Sequence, residues 1–355
     1  MESEPSRNLA AILTPQGVGA IAVLRIAGPA VPDFLSRCFS RPAIADRCVH
    51  GELRDDEKVI DDPVVVLASG KQSADINLHG GAWVVQAALN LAMRHGFSVM
   101  DARNALLPAF TLDATDELER EMLSYLPLAT TELALRVLLA QPAAWKRLIG
   151  QQIGPSEAQR ILADQSLHWL LNPPRVAIVG IPNAGKSTLA NQLFGQQRSI
   201  TADQPGTTRD WVGESANLDG LAITLIDTPG IRQSQDPIES QAIARAKTQV
   251  DAADAVIHVF DATRADDESQ RALADRFPDA IRVFNKMDAA PGLNLDGTSI
   301  PTVATTGEGI DALRLAIRRK FHCEPIDPDS AKCWTPRQRE LLHASLRERF
   351  PESKS

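Results

Sequence analysis

The stretch from Val176 to Ser187 constrains this chain more than any other. Val176-Ala177-Ile178-Val179 is a short β-rich apolar run. It leads directly into Gly180-Ile181-Pro182-Asn183-Ala184-Gly185-Lys186-Ser187. That octet fits G-x-x-x-x-G-K-[ST] between a strand and a segment at helical spacing. The glycines let the backbone wrap a phosphate, so that successive N–H groups point inward. Lys186 would bring positive charge to the β- and γ-phosphates, and the Ser187 hydroxyl would reach Mg²⁺. A helix from about Lys186 to Leu193 would aim its positive end at the same phosphates, next to Thr188. A plain strand–turn–helix is the competing reading.

Ala222–Ile226, Ala255–Phe260 and Ile281–Phe284 are further buried-strand candidates, each separated by helical segments. Strands that alternate with helices predict an α/β fold, a mostly parallel sheet with helices on both faces. The strand ending at Ile226 delivers Asp227-Thr228-Pro229-Gly230, with Asp227 lying 41 residues beyond Lys186. An acid there can hold the Mg²⁺ shell, and the Gly230 N–H could sense the γ-phosphate. After the strand at Ile281 comes Asn285-Lys286-Met287-Asp288. A carboxylate at Asp288 accepts both N–H groups on one edge of guanine, which adenine cannot supply. The aliphatic stem of Lys286 would pack along the base. Val303-Ala304-Thr305-Thr306-Gly307 fits a last guanine loop, in which a backbone N–H meets the base oxygen; Ala304 is the residue expected to supply it. Between these elements, Thr207 and Thr208 sit in Pro205-Gly206-Thr207-Thr208-Arg209-Asp210. A Thr there can complete a metal shell only when the γ-phosphate is present, which makes the loop a switch. Three ordered elements on one alternating sheet favour GTP over ATP.

The rest of the chain divides around this block. Residues 1–111 read as a small α+β domain, 112–174 as a helical connector broken at Pro127, Pro142 and Pro155, 175–321 as the nucleotide domain and 322–355 as a short helical tail. Ser156 reads as the cap of a helix running to Leu171. A net charge of −8 excludes a generally basic nucleic-acid coat, and a single tyrosine, Tyr125, speaks against a base-stacking surface. No DNA partner is expected. Apolar runs fall short of a membrane span, and the amino terminus lacks the pattern of a signal peptide. Cys38, Cys48, Cys323 and Cys333 show no Cys-x-x-Cys spacing, which favours reduced thiols and a cytoplasmic location.

These residues resemble the tRNA-modification GTPase family called MnmE or TrmE. The resemblance is carried by the octet at Gly180, by Gly206-Thr207-Thr208-Arg209-Asp210 and by Asp227-Thr228-Pro229-Gly230-Ile231-Arg232. It extends to the run Thr14-Pro15-Gln16-Gly17-Val18-Gly19 through Gly28 and to Leu78-His79-Gly80-Gly81. It implies GTP hydrolysis that depends on potassium and on pairing of two G domains, within a dimer joined through the N-terminal domain. By this resemblance Asn183 and Thr207 serve K⁺, and Ser187, Thr208 and Asp227 serve Mg²⁺. Glu239, in Asp236-Pro237-Ile238-Glu239, would orient the attacking water, with Lys186 and Gly230 completing the catalytic set. The residue after Gly230 is Ile231, which cannot hold a water, and a monovalent cation can neutralise developing charge in place of an arginine. A solvated carboxylate at a helix start is the competing reading for Glu239.

The departures from the family are equally specific. Its closing Cys-x-Gly-Lys motif is absent from these 355 residues, since neither Cys323 nor Cys333 precedes Gly-Lys. Ala202 and Gln204 replace usual residues of the potassium loop. Of the family's folate contacts, Arg25 matches and Asp75 stands where Glu is usual, while a lysine contact has no counterpart, so a folate cofactor is not expected. The family implies tRNA and a flavoprotein as partners and wobble-uridine modification as the task. The missing motif leaves open a regulatory GTPase with another target, or a GTP-binding interaction protein with little hydrolysis.

Overall fold

The computed structural model describes residues 7–15, 19–70, 72–100, 116–149, 151, 153–194, 214–227, 248 and 250–349. The N-terminal block is built on a six-stranded sheet ordered β3-β6-β7-β2-β1-β8. Its strands are β1 (Leu9–Ile12), β2 (Ile21–Ala27), β3 (Cys48–His50), β6 (Val64–Leu67), β7 (Ser73–His79) and β8 (Ser98–Val99). A separate hairpin pairs β4 (Leu53–Asp55) with β5 (Lys58–Asp61). Alternation along β2 and β7 sends Leu24, Ile26, Ile76 and Leu78 to one face. Helices α1 (Val31–Cys38) and α2 (Ala82–Arg94) close that core with Phe34 and Leu91.

The second sheet is ordered β10-β11-β9-β12-β13-β14. It comprises β9 (Arg175–Val179), β10 (Glu214–Leu218), β11 (Leu221–Asp227), β12 (Ala255–Asp261), β13 (Ile281–Asn285) and β14 (Ile300–Thr302). Only β10 runs antiparallel; the other pairs are parallel. These strands read as near-continuous apolar runs because both of their faces are covered. Within β12, His258 is 1% exposed and neither ring nitrogen has a hydrogen-bond partner among the described residues. It lies over the Phe260 ring at 3.9 Å between centroids. Burial, reinforced by the charge of Arg282, pushes its pKa down to about 4.

Between the two sheets lie α3 (Glu117–Tyr125), α4 (Glu132–Ile149), α5 (Pro155–Ala163) and α6 (Ser166–Leu171). Pro142 does not break the chain into two helices as its position predicts, because α4 runs straight through it. An interior proline costs a helix about 3 kcal/mol. Contacts to the C-terminal segment offset that cost. The buried Gln141 amide donates to the carbonyls of Ser330 (3.2 Å) and Pro328 (3.4 Å), and its oxygen accepts from the Lys332 N–H at 2.8 Å. The Trp145 indole donates to the Lys332 carbonyl at 2.8 Å. The helix expected to run from Ser156 to Leu171 is instead two helices. Pro155 opens α5, so Ser156 is not its cap. At the break between them, the Asp164 carboxylate accepts from the Ser166 N–H at 2.8 Å.

Helices α7 (Lys186–Phe194), α8 (Glu268–Arg276) and α9 (Ile310–Lys320) cover the second sheet, and α10 (Pro336–Arg349) lies beyond it in sequence. One continuous core runs from Leu118 and Trp145 through Ile178 and Val259 to Cys333 and Leu342. Where the helices meet the sheet, the Thr131 hydroxyl donates to the Gly220 carbonyl at 2.6 Å. A Cβ on Gly220 would lie 2.6 Å from that of Leu133, so the approach requires glycine. Glu121, 3% exposed, ties α3 to α10. Its carboxylate accepts from Arg337 Nε (2.6 Å) and Nη2 (2.8 Å), from Gln338 Nε2 (2.8 Å) and from the Thr335 hydroxyl (3.1 Å).

Two outcomes follow from this packing. Glu121→Ala leaves buried donors of Thr335 and Gln338 without an acceptor and should lower stability by about 2–4 kcal/mol. Urea unfolding reads this directly, and a loss below about 1 kcal/mol would show that the network is not a fastening. For His258 the folded state disfavours the proton, so its contribution is complete above the unfolded value of 6.5 and drains away as pH falls to about 4. That loss is on the order of 3 kcal/mol. His258→Phe should flatten the slope of stability between pH 6.5 and 4; parallel slopes for the two proteins would refute the assignment.

Candidate nucleotide site

The candidate site is assembled at the carboxyl ends of the parallel strands. The loop after β9 folds into a left-handed turn at Asn183, where φ is 64°, and at Gly185, where it is 92°. Asn tolerates that region through its short polar side chain. Gly185 has no substitute, because an added Cβ would sit 2.1 Å from the Asn285 amide nitrogen. Lys186 opens α7, and its ammonium donates back to the carbonyls of Gly180 (3.0 Å) and Ile181 (2.9 Å). Its charged end is thereby folded over the loop that would hold phosphate.

Asn285 ends β13 and is 3% exposed. Its amide nitrogen donates to the Ala184 carbonyl at 2.8 Å. Its oxygen accepts from the Ala304 N–H at 2.9 Å and from the Thr302 hydroxyl at 3.4 Å. Asn285 opens the run that the sequence assigns to guanine, and its hydrogen bonds clamp the Gly180–Ser187 loop to the loop after β14. The Ala304 N–H, expected to meet the base oxygen, is therefore occupied by Asn285, because strand β14 brings it within reach of that buried amide. The Ala304 carbon skeleton still lines the cleft together with Val303 and Thr305.

The next residue, Lys286, takes a left-handed conformation with φ of 65° and turns back across the sheet edge. Its ammonium pairs with Asp261 Oδ2 at 2.6 Å. Asp261 ends β12 directly opposite Asn285 in the ladder. Burial alone would raise the Asp261 pKa. The Lys286 and Thr263 hydrogen bonds and the Lys286 charge outweigh burial and hold it below the usual carboxylate range. No motif marks Asp261; its only sequence signal is an acid at the end of a strand, and the ladder sets it directly opposite Asn285. The short turn Met287–Ala289 carries Asp288 to the rim.

Together these loops enclose a cleft of about 590 Å³ lined by Asn183, Gly185, Lys186, Ser187, Thr188, Asn285, Lys286, Asp288, Ala289, Val303, Ala304 and Thr305. Ala184 is fully buried beneath it. The volume falls within the range of small-molecule sites. Ser187 faces the cleft from the first turn of α7. Asp227 closes β11, which pairs in parallel with β9 and so ends at the same edge of the sheet. The Ser187 hydroxyl is a hard oxygen donor of the kind Mg²⁺ takes, so this part of the donor set fits the ion. Thr207, Thr208, Thr228, Pro229, Gly230 and Glu239 lie outside the described residues.

Arg25 and Asp75 lie far from this cleft in sequence, on β2 and β7, where they are register partners. Arg25 Nε and Nη2 meet the two Asp75 oxygens at 2.6 and 2.7 Å. This two-pronged pair gives both residues a role in the sheet without any ligand.

Comparison with known proteins places the chain. The family described as "GTP-binding protein TrmE N-terminus" matches residues 8–115, and that described as "50S ribosome-binding GTPase" matches residues 175–286. A tRNA modification GTPase MnmE of Nitratidesulfovibrio vulgaris (strain Hildenborough) is 30% identical, over 87% of this chain and 80% of its own. That of Akkermansia muciniphila is 31% identical over 90% of this chain and 82% of its own. That of Chloroflexus aurantiacus is 32% identical over 87% and 80%. With both of its blocks matched in order, and with relatives of this identity spanned over four-fifths of their length, the chain belongs to the family of tRNA modification GTPases named MnmE.

Proposed function

We propose that this chain binds GTP in the 590 Å³ cleft and hydrolyses it with Mg²⁺, and that the cycle of binding and hydrolysis drives a step of tRNA wobble-uridine modification. The observation that carries the nucleotide reading is the convergence of Lys186 and Asp288 on one cleft, braced by Asn285. Lys186 and the loop N–H groups would hold the phosphates while Asp288 accepts the two N–H groups of the guanine edge. Mg²⁺, held by Ser187, Asp227 and Thr208, would supply charge neutralisation between the β- and γ-phosphates. Asn183, with Thr207, would hold K⁺ close to the developing negative charge, and Glu239 would align the water. Asn183 is well placed for this, since its left-handed turn sets it on the cleft wall.

The tRNA part of the reading rests on the relatives, which carry that task in their names. Two copies would join through their N-terminal blocks and bring their G domains together in the GTP state. In this reading the chain divides into four segments, 1–111, 112–174, 175–321 and 322–355. The second and fourth act as one helical unit, consistent with the contacts of Gln141, Trp145 and Glu121 to the C-terminal segment. Among the described residues, no helix is long and apolar enough to cross a membrane.

Steady-state GTP turnover should require Mg²⁺ and should run at least several-fold faster in potassium chloride than in sodium chloride. Glu239→Ala should cut turnover by about 10²–10³-fold while leaving GDP affinity unchanged. Equal rates in the two salts would remove K⁺ from the mechanism, and an unchanged turnover number would remove Glu239. Tight GTP binding without turnover would instead favour a binding protein. For the tRNA step, mass spectrometry of bulk tRNA from a strain deleted for this gene should show loss of the modified wobble uridines. An unaltered profile would point to a regulatory GTPase with another target.

A further inference from the structure

The Lys286–Asp261 pair has a built setting that the nucleotide reading does not use. Asp261 is 3% exposed, and Gln270 on α8 is fully buried beside it. Gln270 Oε1 accepts from the Asp261 backbone N–H at 2.6 Å. Gln270 Nε2 donates to the Arg264 carbonyl at 2.6 Å and to the Asp261 carbonyl at 3.4 Å. The strand end is therefore fixed through its backbone. Asp261 Oδ1 accepts from the Thr263 N–H (3.0 Å) and hydroxyl (2.6 Å), which orients the carboxylate. Only Oδ2 is turned to Lys286. Meanwhile the left-handed turn at Lys286 directs its side chain from the end of β13 towards β12.

We infer that Asp261 is a positioning residue for the nucleotide base: it anchors the Lys286 ammonium so that the stem lies as a fixed wall of the base pocket. A lysine side chain samples many rotamers when free. A stem already held at its tip loses little of that freedom when a base stacks on it, so the gain appears as affinity. The pairing also neutralises the ammonium beside an uncharged base, leaving the phosphate end of the cleft to deal with anionic groups. Gln270 and Thr263 act one step further back, by fixing the carboxylate. The inference rests on the proposed guanine-nucleotide site, since it assigns a role to a group behind that site.

A double-mutant cycle tests it, with Kd read from a fluorescent N-methylanthraniloyl-GDP and KM and kcat from GTP turnover. Asp261→Asn keeps an acceptor for Thr263 and removes the charge facing Lys286. It should weaken GDP binding about tenfold and raise KM by a similar factor, with kcat within twofold of the wild type. Lys286→Met keeps the unbranched stem and the same backbone tolerance but loses the anchored tip, and it should show a similar loss. In the Lys286→Met background, Asp261→Asn should cost nothing further. A full tenfold loss in that background, or wild-type affinity for Asp261→Asn, would overturn the inference. Should Asp261→Asn fail to fold, Lys286→Met alone decides: unaltered KM means that the anchored tip does not matter to the base. Wild-type protein that binds no GDP would overturn the nucleotide reading itself, and this inference with it.

Discussion

Everything in the candidate site hangs on the side-chain amide of Asn285. It is buried at the end of a central strand and reaches in two directions, to the Ala184 carbonyl and to the Ala304 N–H. Either group left unpaired in that interior would cost about 1–3 kcal/mol. The amide therefore fixes the spacing between the loop after β9 and the loop after β14, whose bonded residues Ala184 and Ala304 are 120 positions apart in sequence. It also explains why Gly185 admits no side chain, since the amide nitrogen occupies the space a Cβ would need. Lys186 follows immediately, so the direction in which α7 leaves the loop is set by the same contact.

The remaining geometry follows from parallel strands that end together. Asp227 pairs with Ile178, and Asp261, Asn285 and Thr302 share one register row; all lie towards the carboxyl edge of one sheet. Open α/β sheets place ligands outside that edge because successive loops leave it on opposite faces and open a crevice. Among the described residues, none of the helical section lines the crevice. That section joins the sheet through Thr131, Leu133 and Gly220, at the turn between β10 and β11, and shares its core. The chain thus has a candidate nucleotide cleft at one edge and a helical unit whose two sequence-distant parts are fastened by Glu121, Gln141 and Trp145.

The cleft was legible in the sequence to the extent that its chemistry is local. The glycine and lysine spacing at 180–186 and the Asn285–Asp288 run each encode a turn and a functional group within a few residues, and the structure brings them together. What escaped was non-local. Pro142 carries a local instruction to break a helix, and it is overruled by hydrogen bonds to residues nearly two hundred positions away. Read singly, Arg25 and Asp75 fit either a ligand contact of the resembling family or a structural polar role; pairing β2 with β7 makes them partners of each other. Asp261 has no motif of its own, and its meaning appears only when β12 and β13 are aligned.

Strand β12 shows how burial alone does not decide the charge of a group. His258 and Asp261 stand three residues apart on it, and both are almost fully buried. Burial opposes the charged form of each. For Asp261 that cost is met by Lys286 and by two hydrogen bonds from Thr263, so the carboxylate stays ionised and its pKa moves down. For His258 the neighbours are the Phe260 ring and the Arg282 charge, neither of which supports an imidazolium, so the ring stays neutral down to about pH 4. The odd spacing puts the two side chains on opposite sides of the strand, His258 against aromatic packing and Asp261 towards the cleft edge. The same strand can therefore carry a pH-sensitive core position and a charge pair that is insensitive through that range. Mild acid would then weaken the sheet before it altered the Lys286–Asp261 pair at the cleft edge.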